Sequence, residues 1–333
     1  MESQKCVKLS SGHMMPLLGL GCWQSPPTEV TAAVEAALDA GYRQIDTAYM
    51  YLNEDAVGKG IHAWINKSKG ASKTETALRK EVFVVTKLPM HGMYAGGVEE
   101  YLKKSLKNLQ LDYVDLFLIH CPIGLKGAAH DKDLIPKNKD GMPNIDYGID
   151  HIALWKEMEK MVDLGLTKSI GVSNFNPPQL RRLLAIARIP PAVQQVEMHL
   201  EFQQLELQKF CQENNIIMTA YAPLGSPGRQ LPGEAYKPQL LNNALVKMVA
   251  DHHKVTTAQV LIRYWIQRNV VVIPKSTNKG RIQVNGDVWG FKLTDQEMEA
   301  LLGMNKGPSC RSFRQMSLMP GVKEHPENPF ELI

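Results

Sequence analysis

Four side chains able to hold, move or steer a proton lie at or just past the ends of short apolar runs. Asp46 and Tyr51 follow Gln44-Ile45, Lys87 stands in Val84-Val-Thr-Lys-Leu88, and His120 stands in Leu118-Ile-His-Cys-Pro122. If these runs are neighbouring parallel strands, their ends converge on one spot. An ammonium beside a phenol stabilises the phenolate and lowers a pKa that is about 10 in a free tyrosine. Asp46 would pair with Lys87 and fix its position, while a neutral His120 would orient a substrate oxygen. Each residue alone has an ordinary structural explanation: a helix cap, a half-buried phenol, a strand-end charge, a satisfied core histidine. Together at consecutive strand ends they can protonate a carbonyl oxygen, which points to reduction of an aldehyde or ketone. No side chain donates hydride, so a nicotinamide cofactor is implied.

Bringing these groups together requires a parallel sheet, and the rest of the chain has the pattern for one. Short strand-like pieces at 6–9 and 14–18 predict an N-terminal hairpin. Strands are then expected at 18–23, 42–47, 82–88, 113–120, 169–172, 193–198, 216–221 and 270–274. Helices are expected at 28–39, 53–65, 98–109, 151–164, 178–186, 205–214, 240–251, 257–268 and 294–302, with an exposed polar stretch at 66–79. Eight strands, each followed by helix, imply parallel pairing with right-handed crossovers. The expected fold class is α/β: a closed (β/α)8 TIM barrel, one domain over 1–333. Three long loops are expected at 123–150, 225–239 and 304–333, the first two on the C-terminal face of the barrel. An open doubly wound sheet is the competitor, but only Gly19-Leu-Gly21 hints at its glycine signature.

Bulk properties narrow the partners. The chain has 333 residues, 44% hydrophobic and 22% charged, in the range of globular proteins. A net charge of +4 is too slight and dispersed to suggest nucleic acid. No apolar run approaches a membrane span of roughly 18 residues, and Met1 to Pro16 lacks the apolar core of a signal peptide. The five cysteines are scattered without a CxxC pair, which argues against a disulfide framework and a zinc site. A reduced, cytoplasmic enzyme without a metal is the expectation.

The motifs resemble those of the aldo-keto reductases. The likeness runs from about Leu9 to Leu302 and rests on Gly19-Leu-Gly-Cys-Trp23, Asp46-Thr-Ala-Tyr-Met-Tyr51-Leu-Asn-Glu54, Thr86-Lys-Leu88 and Ile119-His-Cys-Pro122 in the catalytic half. In the other half it rests on Gly171-Val-Ser-Asn-Phe175, Gln194-Gln-Val-Glu197, Ala220-Tyr-Ala-Pro-Leu-Gly-Ser226 and Ile273-Pro-Lys-Ser276. The resemblance implies that Tyr51 is the acid, tuned by Lys87 and Asp46, with His120 orienting the carbonyl. It also implies NADPH lying across the barrel mouth. Ser173, Asn174 and Gln195 would hold the carboxamide, Tyr221 would stack on the nicotinamide, and Gly21, Cys22, Trp23 and Asp46 would line that end. Ala222, Pro223, Leu224, Gly225 and Ser226 would follow the pyrophosphate. Lys275, Ser276, Asn278 and Arg281 would surround the 2′-phosphate, and Asn285 the adenine. Independently of the resemblance, Lys275 and Arg281 just past the last strand favour NADP over NAD, because barrels often bind phosphate there and Arg suits bidentate contacts.

Substrate contacts are expected from Trp23, Met50, Tyr51, His120, Cys121, the 123–150 loop and the tail after Met304. Cys121 and Pro89 stand where many family members have tryptophan, an acidic residue near Gly228 is missing, and Val284 replaces a common Glu. These departures predict a wider pocket and a cofactor held less tightly than in members that clasp it. Such a pocket suits a bulky, steroid-like carbonyl compound and is similar to that of insect reductases acting on 3-dehydroecdysone. The resemblance leans towards a monomer. Two other readings remain: a barrel isomerase or hydrolase, for which only Asp46 and Glu197 offer inward carboxylates, and a reductase scaffold that binds NADPH without turnover.

Overall fold

The structure, a computed structural model, describes residues 5–70, 73–130, 133–229, 237–314 and 319–330. Strands β1 (Cys6–Lys8) and β2 (Met14–Pro16) form the expected antiparallel hairpin. It packs under the barrel, where the Ser11 and Ser169 hydroxyls meet at 2.7 Å.

Strand and helix then alternate as follows: β3 (Leu20–Gly21) and α1 (Pro27–Asp39), β4 (Gln44–Asp46) and α2 (Glu54–Ser68), α3 (Glu75–Glu81), β5 (Phe83–Leu88) and α4 (Gly97–Leu109). Strand β6 (Val114–Ile119) precedes a small hairpin of β7 (Gly124–Leu125) and β8 (Ile145–Asp146), then α5 (His151–Asp163). Next come β9 (Thr167–Ser173) with α6 (Pro177–Leu184), β10 (Val193–Glu197) with α7 (Leu205–Glu213), and β11 (Ile217–Tyr221) with α8 (Ala244–His253) and α9 (Thr257–Gln267). Finally β12 (Val271–Val272) is followed by α10 (Lys279–Gly286) and α11 (Asp295–Leu302).

Eight strands pair in parallel in the order β12-β11-β10-β9-β6-β5-β4-β3. The two ends of that sheet also meet: Gly19 N–H donates to Val272 O at 2.9 Å, Val272 N–H to Leu17 O at 2.9 Å, and Gly21 N–H to Pro274 O at 3.2 Å. The sheet is therefore a closed (β/α)8 barrel, as the alternation predicted. Gly21 is required at the seam, because a Cβ there would lie 2.7 Å from Ile273 O.

Local sequence explains the elements. Every residue of Val114–Ile119 is buried, as a strand covered on both faces must be. In α4 the inward residues Val98, Tyr101, Leu102, Leu106 and Leu109 recur at helical spacing. Its outer face carries the i,i+4 pairs Glu99–Lys103 and Glu100–Lys104. Asn176 with Gln179, Thr256 with Gln259, and Thr294 with Glu297 form capping boxes at α6, α9 and α11.

Four expectations need correction. The 66–79 stretch, expected as exposed and polar with no element of its own, is partly helical, since α2 runs to Ser68 and α3 begins at Glu75. Thr74 Oγ1 accepts from Ala77 N and starts α3, a cap hidden among polar neighbours. The 240–251 helix is split, because Asn243 is extended and its side chain caps α8 through the Leu245 and Val246 amides. The 123–150 loop contains the β7–β8 hairpin, whose strands are too short to show a period. Helix α10 was not expected; Lys279–Gly286 buries only Ile282 and Asn285, so no apolar stripe announces it. Parts of all three expected loops (131–132, 230–236, 315–318 and 331–333) lie outside the described residues.

Candidate active site

The C-terminal strand ends form the floor of one deep cavity of about 1090 Å³. Asp46 ends β4, Lys87 is next to last in β5, His120 follows β6, and Ser173, Glu197 and Tyr221 end β9, β10 and β11. Tyr51 closes a single 3-10 turn, Tyr49–Tyr51, just beyond Asp46. Parallel register explains the convergence: Asp46 pairs with Val85, and Lys87 with Leu118, so successive strands present their ends at one level.

Lys87 is buried behind Tyr51. Its ammonium donates to Asp46 Oδ1 at 2.6 Å, to Thr47 O at 2.8 Å and to the Tyr51 hydroxyl at 3.4 Å. Asp46 Oδ2 accepts from Gln195 Nε2 at 2.8 Å, a bridge from β10 across the barrel mouth. The Tyr51 and His120 rings meet edge to face with centroids 5.7 Å apart. The four residues singled out in the sequence thus form one cluster.

The electrostatics correct one expectation. The Tyr51 phenol is not loosened; its pKa is raised well above 10 by burial, then by the negative charge of Asp46 and by Cys22. The phenol therefore holds its proton in the resting site. His120 is pushed down to about 3, first by burial and then by the Lys87 charge. It stays neutral at physiological pH, and its buried Nδ1 has no hydrogen-bond partner among the described residues. At neutral pH both side chains are thus uncharged, and each can donate or accept a hydrogen bond towards the cleft.

The expected cofactor residues line the same cavity from Gly21, Cys22 and Trp23 to Asn285, with the exception of Gly225. Gly225 is turned into the wall with φ +74°, and its carbonyl accepts from Arg229 Nη1. The expected carboxamide residues already bond to each other and to the site. Asn174 donates to His120 O at 3.0 Å and to Ser173 Oγ at 3.1 Å, and accepts from the Tyr221 hydroxyl at 3.0 Å. Asn174 adopts φ +62° to do so, a conformation asparagine tolerates. Asn278 caps α10 by accepting from Arg281 N at 2.9 Å, so its amide serves the helix as well as the cleft. Lys275 and Arg281 are exposed to the cleft and have no ion-pair partner among the described residues.

Around Tyr51 the wall is apolar: Trp23, Met50, Met90, Cys121, Ile135, Phe313, Met319 and Phe330. Cys121 lines the cavity and Pro89 does not; Met90, Cys121 and Val322 belong to one apolar cluster, with Met50, Met319 and Phe330 against it. The loop and tail were expected to contribute, but sequence alone did not single out Ile135, Phe313, Met319 or Phe330, because nothing local distinguishes them. Met90, next to Pro89, was readable from its place just past β5 and was missed.

Comparison with known proteins agrees with this geometry. The sequence pattern described as "Aldo/keto reductase family" matches residues 10–306. The chain is 41% identical over 332 residues to "Aldo-keto reductase family 1 member A1-A" of Danio rerio, covering 97% of this chain and 98% of that one. It is 39% identical over 337 residues to "Prostaglandin F synthase 1" of Bos taurus, covering 99% and 98%. Among solved structures, the aldose reductase from Schistosoma japonicum superposes with a TM-score of 0.86 at 38% identity, covering 98% of each chain.

Proposed function

The chain belongs to the aldo/keto reductase family, and from that premise we propose that it reduces aldehydes and ketones to alcohols with NADPH. The observation that carries this reading is the Tyr51 hydroxyl, 3.4 Å from Lys87 Nζ and beside a neutral His120, in the wall of a cleft that runs on to Lys275 and Arg281.

The cleft suits the cofactor. At about 1090 Å³ it exceeds the usual range of roughly 300–1,000 Å³ for small-molecule sites, as a space shared by a dinucleotide and a substrate should. Its far end offers Lys275 and Arg281, which have no ion-pair partner among the described residues, to a 2′-phosphate. Ser173, Asn174 and Gln195 would face the carboxamide, and Tyr221 would pack on the ring. When bound, NADPH supplies the hydride, which adds to the carbonyl carbon.

The chain's own groups handle the oxygen. His120, neutral, hydrogen-bonds the carbonyl oxygen and fixes its direction. Tyr51 gives its proton to that oxygen as negative charge develops there, and Lys87 stabilises the phenolate left behind. A phenol that is a weak acid at rest suits this step, because the developing alkoxide is a far stronger base than water. Asp46 holds Lys87 in place through their 2.6 Å contact. The apolar wall of Met50, Met90, Met319, Phe313 and Phe330 favours a bulky apolar carbonyl compound, and the thioethers can repack around different shapes. Five free cysteines fit a reducing, cytoplasmic setting.

The test is NADPH consumption across aliphatic, aromatic and polycyclic carbonyls. Tyr51→Phe should abolish turnover while NADPH still quenches protein fluorescence with nearly unchanged affinity. Retained turnover in that variant would refute the assignment of the acid.

A further inference from the structure

The loop leaving β10 grips the C-terminal tail at several points. Gln203 N–H donates to Asn305 Oδ1 at 2.9 Å, Lys306 pairs with Glu201 at 2.5 Å, and the Arg311 guanidinium lies 4.7 Å over the Phe202 ring. The deepest contact is made by Glu197, the fully buried last residue of β10. Its Oε1 accepts from Ser312 N at 2.7 Å and its Oε2 from Phe313 N at 3.0 Å, while His199 Nε2 lies 3.1 Å from Oε1. Burial alone would raise this carboxyl. The hydrogen bond and charge of His199, the Phe313 amide and Arg311 hold it below the usual carboxylate value. A buried carboxylate is tolerated only when its oxygens are satisfied, and here two of its donors come from the tail.

Glu197 does not itself line the cavity, but Phe313 does. The Phe313 ring packs against Trp23 and Tyr221, each with centroids 5.3 Å away, and lies 5.0 Å under the Arg229 guanidinium. One tail side chain therefore touches both the ring expected beside the nicotinamide and the tryptophan on the substrate side. Two consecutive amides bound to one carboxylate fix the backbone that aims this ring.

We propose that Glu197 is a positioning residue that holds Phe313 as a shared wall between Tyr221 and Trp23, and so sets selection for bulky apolar carbonyl substrates. The proposal rests on the reductase reading. A short aldehyde reaches Tyr51 and His120 without needing Phe313, whereas a polycyclic ketone fills the space against it. Loss of one such apolar contact changes discrimination by roughly 10- to 200-fold.

The variant Glu197→Gln keeps the shape but offers one acceptor where two are needed. Hydrogen exchange of the NADPH-free protein should show faster exchange at the Phe313 and Ser312 amides, with the amides of 193–196 unchanged. With saturating NADPH, KM for a polycyclic ketone should rise about tenfold, while propanal kinetics and NADPH affinity stay within about twofold. Phe313→Ala should show the same loss for the ketone, and adding Glu197→Gln to it should cost nothing further. Unchanged exchange at these amides, equal loss on both substrates, or additive effects of the two substitutions would overturn the proposal. If Glu197→Gln does not fold, Ser312→Pro removes one donor from the tail side, and the Phe313 amide and the same kinetics are read. Exchange needs no turnover. Normal exchange effects with no NADPH consumption by the unsubstituted protein would sink the reductase reading, and the selectivity role with it.

Discussion

Replacing Lys87 by Met should destabilise the protein far more than a surface charge would. Lys87 and Asp46 are 2.6 Å apart with side-chain exposures of 1% and 2%. Met has nearly the length of Lys but leaves Asp46 with Gln195 Nε2 as its remaining donor among those on the carboxylate. Breaking a buried pair from one side costs about 3–5 kcal/mol, mostly the penalty of the stranded charge. Asp46→Asn, which leaves Lys87 its bonds to Thr47 O and Tyr51, should cost a similar amount. The double variant strands no charge and should lose well under the sum, with a coupling of about 2–3 kcal/mol. Urea unfolding followed by circular dichroism reads this as a shift in midpoint at unchanged slope. The double variant should regain stability without regaining turnover, since the ammonium beside the Tyr51 hydroxyl is gone. A loss below about 1 kcal/mol for Lys87→Met, or strict additivity in the cycle, would refute the argument that the pair is uncompensated when halved.

Three further outcomes are expected. His120 titrates near 3 when folded and about 6.5 when unfolded, so its contribution is present above pH 6.5 and is lost as pH falls towards 3. His120 should therefore add at most about 1.4 kcal/mol per unit to the pH slope of stability in that window, a share that His120→Gln removes; an unchanged slope in the variant would contradict the burial argument. Gly58→Ala should cost about 1–3 kcal/mol in the urea midpoint, because a Cβ there would lie 2.4 Å from Leu109 O, backbone that cannot step aside where α2 crosses α4. Arg281→Leu should weaken NADPH binding about 10- to 100-fold by fluorescence titration, the value of a charge-assisted contact of roughly 1.5–3 kcal/mol. NADH binding should hardly change, and an equal loss for both would remove the phosphate assignment.

Much of the barrel was legible because its signals are local. Nearly all-apolar runs such as Val114–Ile119, broken only by Asp115, stand out, and the glycines, caps and helical stripes between them fall at regular spacing. Elements lacking that internal pattern escaped: α3 hides its cap in a polar stretch, α10 buries two residues in eight, and β7 and β8 are two residues each. The candidate site was legible to the same extent. Asp46, Tyr51, Lys87 and His120 could be named because each stands in or beside a readable strand end, whereas Phe313 and Met319 stand in a tail without period.

The amino-acid order alone determined which groups stand at the mouth of a parallel barrel, since strand period and chain direction are properties of short segments. Tertiary structure alone decided how those groups behave. Gln195 meets Asp46 across 149 positions of sequence and Glu197 meets Phe313 across 116, so no window along the chain contains either contact. Whether the Tyr51 phenol keeps its proton depends on burial and on charges summed from several strands at once. Such sums exist only after the strands have closed around the site.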